Sequence, residues 1–348
     1  MIYLRHVGLM LAALAIGSVL KMLHLPIPFL MAGMIVSIFC KVKFRGIKNL
    51  WPKTYREYSL YVAGFGIGAK FTHDAWQSIV AQLPGVMLTN VLLLSLSIFL
   101  AYLSHKWMKE DFKSCIMGMM PGGLTVAMLM CEEDEKCNPN IIMVMQVIRL
   151  LGVLFLVPLL VVFLFDAQAE EQGMMAVGKG NLVWYWMFVL SPLGYYAAKA
   201  IHFPTPRLLG PIISTSIVAI IFDGIQSPPG WLMMITQGCL GLFIGTQMDL
   251  DRIVQAKKCV PCVLIGTALM LIFTTCMGTA IAHYYGFDSI TAFLAMAPGG
   301  IAEMTLAGLS MGADVSIILA YQLVRMFAVN LSMPVISAIL NKRRKAQA

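Results

Sequence analysis

The sequence predicts an all-α polytopic membrane protein built from two inverted repeats, each holding about five spans and one segment broken or made re-entrant at Pro-Gly-Gly. Three observations lead there: the apolar content, a register that recurs along the chain, and the placing of the basic residues. Hydrophobic residues make up 59% of the 348 and charged residues only 12%, with a mean hydropathy of +0.81. Soluble domains carry about 25% charged residues. So little charge over the whole length excludes an ordinary soluble enzyme, and equally a soluble domain on a single anchor. A hydrocarbon core about 30 Å thick takes about 20 apolar residues per helical span, so this length supplies roughly ten to twelve hydrophobic segments.

Sliding the chain against itself by 177 or 178 residues brings like residues together, which is the signature of an internal repeat. His24-x-Pro26-x-Pro28-x-Leu30 falls on His202-x-Pro204-x-Pro206-x-Leu208, and Gly64-x-x-Ile67-Gly68 falls on Gly241-x-x-Ile244-Gly245. Asp111 falls on Asp288 and Pro121-Gly122-Gly123 on Pro298-Gly299-Gly300. After a one-residue slip, Gln146-x-x-Arg149 falls on Gln322-x-x-Arg325. The reading is a tandem duplication, with residues 1–175 as the first membrane repeat and 176–348 as the second.

Within the first repeat the apolar segments run over about 4–22, 27–40, 58–72, 84–105, 112–131 and 140–165. The first follows Arg5 and His6 as a signal peptide would, but no small-residue cleavage site precedes the next segment, so it is expected to stay as a span. The fifth is cut by Pro-Gly-Gly into half-helices of roughly nine residues, so it crosses as a broken helix or turns back as a hairpin. The sixth carries Gln146 and Arg149.

Basic residues choose between those two topologies. If every segment crosses, with the N-terminus inside, 15 Lys and Arg lie inside and eight outside; if the fifth segment of each half turns back, the tally is 20 against three. The positive-inside rule prefers the second arrangement. An odd number of crossings per half then turns the second repeat upside down, with both termini cytoplasmic and residues 166–180 periplasmic. The net charge of +8 is thereby explained by topology.

Arg149 and Arg325 stand deep in apolar stretches, where an unpaired Arg costs at least ~2.5–3.5 kcal/mol on insertion scales. Each has a glutamine three residues earlier, on the same helix face. Two readings are open. The arginines could tie down the carbonyls freed in the broken segment, or they could form a symmetry-related pair of anion clamps, since a guanidinium fork fits a carboxylate. Paired broken segments at corresponding positions are the best sequence pointer to a transporter site. Candidate substrate-binding residues are therefore Pro121, Gly122, Gly123, Gln146 and Arg149, with Pro298, Gly299, Gly300, Gln322 and Arg325.

Glu303 is the only carboxylate inside an apolar segment, and Val126 takes its place in the first half. It is either a permanent partner for an arginine or a titrating, ion-coupling group. Gly64-x-x-x-Gly68 and Gly241-x-x-x-Gly245 read as close helix packing. The 27 methionines fill gaps beside broken helices, and six histidines without helical pairing give no metal centre. Gly308-x-Ser310-x-Gly312 lacks the strand and the following histidine of a nucleophile elbow. Cys259-x-x-Cys262 brackets Pro261, whose repeat mate Pro84 has no thiols around it, so a redox pair is not the reading taken. The eight cysteines imply no disulfide framework.

Ala297-Pro298-Gly299-Gly300-Ile301-Ala302-Glu303-Met304, Gly312-Ala313-Asp314 and Tyr321-Gln322-Leu323-Val324-Arg325 resemble the AbrB family of bacterial inner-membrane proteins, a family with a duplicated domain. The first half departs from the pattern at Leu124-Thr125-Val126 and in the acidic loop from Cys131 to Cys137. The resemblance implies several things at once: a regulator of the expression of a DNA-repair flavoprotein, an ammonia monooxygenase label, and transporter-like folds. The residues favour a secondary transporter of a small anionic solute coupled to H⁺ or Na⁺. A membrane-embedded sensor that binds a ligand without moving it is the alternative, and an enzyme comes third. No catalytic residue, metal or cofactor is expected. The expected partners are the lipid bilayer, a small-molecule or ion ligand and a second copy in a homodimer, with no nucleic acid.

Overall fold

The computed structural model describes residues 2–44, 50–122, 124–132, 137–165 and 182–347. Among them the chain forms fifteen α-helices and no strand; a lone bridge joins Leu182 and Ile225. Five helices are long and apolar enough to cross a bilayer, over Leu4–Met22, Val80–Met108, Pro139–Phe165, Cys259–Tyr285 and Val315–Leu340. The protein is an all-α, polytopic membrane protein. Side chains such as Leu11, Phe99, Phe163, Ile272 and Leu331 are exposed, the pattern of a molecule whose solvent is lipid.

Two compact units make up the chain, and each takes residues from both sequence halves. The first holds Met1–Ala81, Pro158–Met248 and Ala302–Leu319; the second holds Gln82–Val157, Asp249–Ile301 and Ala320–Ala348.

In the first unit, α1 (Ile2–Met22), α2 (Pro28–Lys43) and α3 (Lys53–Gly68) pack with α8 (Met187–Ala200), α9 (Pro206–Ile221) and α10 (Gly230–Thr246). The third helix starts five residues before the apolar segment, because Lys53 to Glu57 continue the helix as a polar first turn, with Glu57 reaching Arg207 at 2.7 Å. Glycines set the packing. A Cβ on Gly241 would stand 2.0 Å from the Leu30 carbonyl oxygen, one on Gly64 2.6 Å from that of Leu208, and one on Gly194 2.2 Å from that of Gly210. The same turn precedes α2 and α9: His24 and Ile27, then His202 and Thr205, all take positive φ before a proline at the helix start. For β-branched Ile27 and Thr205 that is a strained conformation.

The second unit takes α4 (His73–Met108) from Gln82, α7 (Pro139–Phe165) as far as Val157, and the broken pair α5 (Phe112–Met119) and α6 (Leu124–Glu132). They join α11 (Leu250–Gln255), α12 (Cys259–Tyr285), α13 (Ser289–Met296) and, from Ala320, α15 (Val315–Gln347). The core is rich in sulfur, with Cys115, Cys259 and Cys262 among Met117, Met119, Met120, Met145 and Met270. Helices of the two halves interlock here. Gly152 of α7 lies against Thr267 of α12, and Gly85 of α4 against the ring of Tyr285. The second break is followed by α14 (Ile301–Ser310), which from Ala302 onward belongs to the first unit.

Candidate functional site

The two breaks are built from the same parts. At the first, Asp111 caps α5 by accepting from the Ser114 N–H at 3.2 Å; at the second, Asp288 caps α13 by accepting from the Thr291 N–H at 2.8 Å. Each half-helix runs for only eight residues. It stops because the residue before proline is driven out of the helical region: Met120 has ψ 130° and Ala297 ψ 134°. At the first break the chain then passes through Gly122 at φ 117°, a conformation open to glycine.

Stopping a helix inside an apolar core leaves its last carbonyls without N–H partners. The Gln-x-x-Arg pairs supply them. Gln146 Nε2 donates to Met117 O at 2.8 Å, and Arg149 Nη1 donates to Gly118, Met119 and Met120 O at 3.3, 3.1 and 2.5 Å. At the second break Gln322 Nε2 donates to Leu294, Ala295 and Ala297 O. Arg325 Nη1 donates to Met296 and Ala297 O, its Nη2 to Gly299 O at 2.7 Å, and Nη2 also to Gln322 Oε1. Each guanidinium thus sits on the C-terminal, partly negative pole of a half-helix. Of the two sequence readings, the bond to freed carbonyls is the one observed.

All four side chains are buried, Arg149 at 5% and Arg325 at 4% exposure. Both breaks belong to the second unit. Among the described residues neither arginine has a carboxylate partner; both are held by neutral oxygens, and Arg149 Nε has none at all.

Sequence reasoning missed the wall beside Arg325. Thr89, Asn90 and Leu93 of α4, Ala295 and Met296 of α13, and Tyr321 line a niche with room for one water-sized body. The Tyr321 hydroxyl is buried there without a partner. Thr89 and Asn90 return their donors to Gly85 and Val86 carbonyls of their own helix. The sequence signal was present, since Thr89-Asn90 interrupts the apolar run from 84 to 105.

Of the predicted site residues, Pro121, Gly122, Gln146, Arg149, Pro298, Gly299, Gly300, Gln322 and Arg325 all fall in the second unit. Gly123 lies outside the described residues, as do residues 133–136 of the acidic loop and residues 166–181. Glu303 belongs to the first unit. It stands in the first turn of α14, where a carboxylate complements the N-terminal pole. Ser310 donates to Ala307 O inside α14.

With this geometry in place, the comparisons decide the family. The model of a family described as "Transition state regulatory protein AbrB" matches residues 29–341. The chain belongs to the AbrB family. Among similar proteins, "Putative regulator AbrB" of Escherichia coli (strain K12) is 22% identical over 326 residues, 91% of each chain. "Uncharacterized protein YhjN" of Bacillus subtilis (strain 168) is 26% identical over 277 residues, 75% of this chain and 70% of that one. The AbrB match takes in both breaks and both Gln-x-x-Arg pairs.

Proposed function

We propose that this AbrB-family protein is a secondary transporter of a small anionic solute, driven by H⁺ or Na⁺ and seated in the bacterial inner membrane with both termini cytoplasmic. The observation that carries the reading is the pair of buried arginines, each held by neutral carbonyls at a broken helix. An anion reaching either guanidinium gains a buried positive charge at no cost in broken ion pairs. Broken helices at equivalent positions suit alternating access, because each half-helix can tilt while its caps stay made. The niche beside Arg325 admits only a water-sized body, so a larger solute enters after α4 and α15 part. In this reading the repeats are inverted, Pro121 to Gly123 and Pro298 to Gly300 shape the passage, and Glu303 carries the coupling proton or sodium ion. It needs no catalytic residue and no cofactor.

The printed name of the Escherichia coli relative favours a second reading, a sensor that binds the same class of ligand and regulates gene expression without moving it. A thermal-shift screen of purified protein over small carboxylates and inorganic anions, followed by proteoliposome uptake of the binder, separates the two. Transport predicts accumulation under a proton or sodium gradient. Glu303→Gln should abolish accumulation and leave exchange, and Arg325→Lys should weaken binding, because a point charge cannot bridge Ala297 and Gly299 carbonyls at once. A binder that shows no flux under either gradient would sink the transporter reading.

A further inference from the structure

Away from the breaks, a groove of about 410 Å³ runs between α4 and α12 in the second unit, within the ~300–1,000 Å³ of ordinary ligand sites. Leu100, Leu103 and Trp107 form one wall, Ile265, Gly266 and Leu269 the other. Leu103, Trp107, Ile265 and Leu269 are exposed. On the floor, the Cys262 thiol donates to the Ser104 hydroxyl at 3.1 Å, and the end of the Met119 side chain fills the notch left by Gly266. Lys106 stands at the rim, its Nζ 4.8 Å from the Tyr102 ring centre. Among the described residues no carboxylate pairs with it.

We infer that this groove binds an anionic phospholipid, one acyl chain lying along the apolar walls and the phosphate resting on Lys106. Both walls belong to helices long enough to cross the bilayer, so lipid chains are the solvent that reaches them. Lipid tails are as apolar as leucine, so apolar contact alone gives no preference for one lipid over another. The selective element is charge. Lys106 lies in the last turn of α4, where a long basic side chain reaches the headgroup level, and Trp107 beside it is the residue type that marks this level. A basic group at the mouth of a cleft between spans is the arrangement that recognises anionic headgroups. A zwitterionic lipid offers the same chains, but its own cation offsets the phosphate.

The test uses the full chain in detergent and two lipids with identical brominated chains, phosphatidylglycerol and phosphatidylcholine. Quenching of Trp107 is read as the difference between wild type and Trp107→Phe. Phosphatidylglycerol should reach half-quenching at about fivefold lower concentration, the share of one basic residue. Lys106→Gln should bring the two lipids together and Lys106→Arg should keep them apart. Narrowing the groove with Leu103→Phe and Ile265→Phe should weaken quenching by both. Should Lys106→Gln fail to fold, a salt series on the wild type serves instead, because an interfacial charge contact is screened by salt. Equal quenching by the two lipids, or a preference unmoved by both Lys106→Gln and salt, overturns the proposal.

Discussion

The two compact units are packed in different ways. In the first, side chains meet glycines too, as Ser37 meets Gly245 and Phe29 meets Gly17, but several close places are backbone against backbone: Gly241 on Leu30, Gly64 on Leu208, Gly194 on Gly210, each with a carbonyl oxygen in the way of any added carbon. In the second, the tightest places are glycines against methionines, Gly118 on Met145 and Gly266 on Met119. A backbone atom cannot move without its helix, whereas a thioether end swings through three rotatable bonds. The backbone contacts of the first unit are therefore fixed by geometry, whereas the methionine contacts of the second are close yet adjustable. Buried positive charge and broken helices are found in the second.

Alanine at the glycines of the first unit should cause the largest loss. Gly241→Ala places its methyl 2.0 Å from an oxygen and 2.8 Å from the carbonyl carbon of Leu30, with no flexible side chain to yield. Overpacking of this kind costs about 3 kcal/mol, more than the roughly 1 kcal/mol that alanine gains over glycine in a helix. Thermal unfolding in detergent should show a clear drop in midpoint. A wild-type midpoint would break the contrast, since the first unit would then be adjustable as well.

Next in size is Arg325→Met. The methionine fills the space but leaves the carbonyls of Met296 and Gly299 short of a donor, while that of Ala297 keeps Gln322, and each buried acceptor so orphaned costs about 1–3 kcal/mol. Relief from burying a charge offsets part of this, so the expected loss is about 2 kcal/mol. The same thermal unfolding measures it. A change no larger than that of a lipid-facing substitution such as Leu331→Ala would mean that the guanidinium does not hold the end of α13. Asp288→Ala comes third at about 1 kcal/mol, the usual worth of an N-cap, and Asp111→Ala should match it because the two caps are built alike.

How much of this was legible from sequence depends on the range of each feature. The breaks were legible because proline and glycine act locally, and the Gln-x-x-Arg pairs because a charge in an apolar run stands out. Their partners were legible only as alternatives: a guanidinium suits a carbonyl as well as a carboxylate, and composition does not say which is near. The interlocking of the halves was not legible. That Gly152 meets Thr267, or Gly241 meets Leu30, depends on pairings between helices far apart in sequence. Glycine spacing announces that some helix approaches without naming it. The Tyr321 hydroxyl was missed for a similar reason, since a tyrosine in a span looks apolar until its neighbours are known.

The smallest effect is the most discriminating one for the contrast between units. Gly266→Ala puts a methyl 2.2 Å from the end of the Met119 side chain, by number as severe a clash as at Gly194. The next nearest atom, the Met119 sulfur, is already 3.4 Å away, so a turn about the last bond of Met119 clears the contact. Replacing a glycine in the middle of α12 by alanine also gains about 1 kcal/mol of helix propensity, against a rotamer adjustment of roughly 0.5–1.5 kcal/mol. The two nearly cancel, and the unfolding midpoint should stay within a degree or two of the wild type. Gly194→Ala, with the same kind of clash against a backbone oxygen at 2.2 Å, should lose stability outright. If the two substitutions cost the same, methionine packing gives the second unit no slack, and any movement of its half-helices has to come from rigid displacement of whole helices instead.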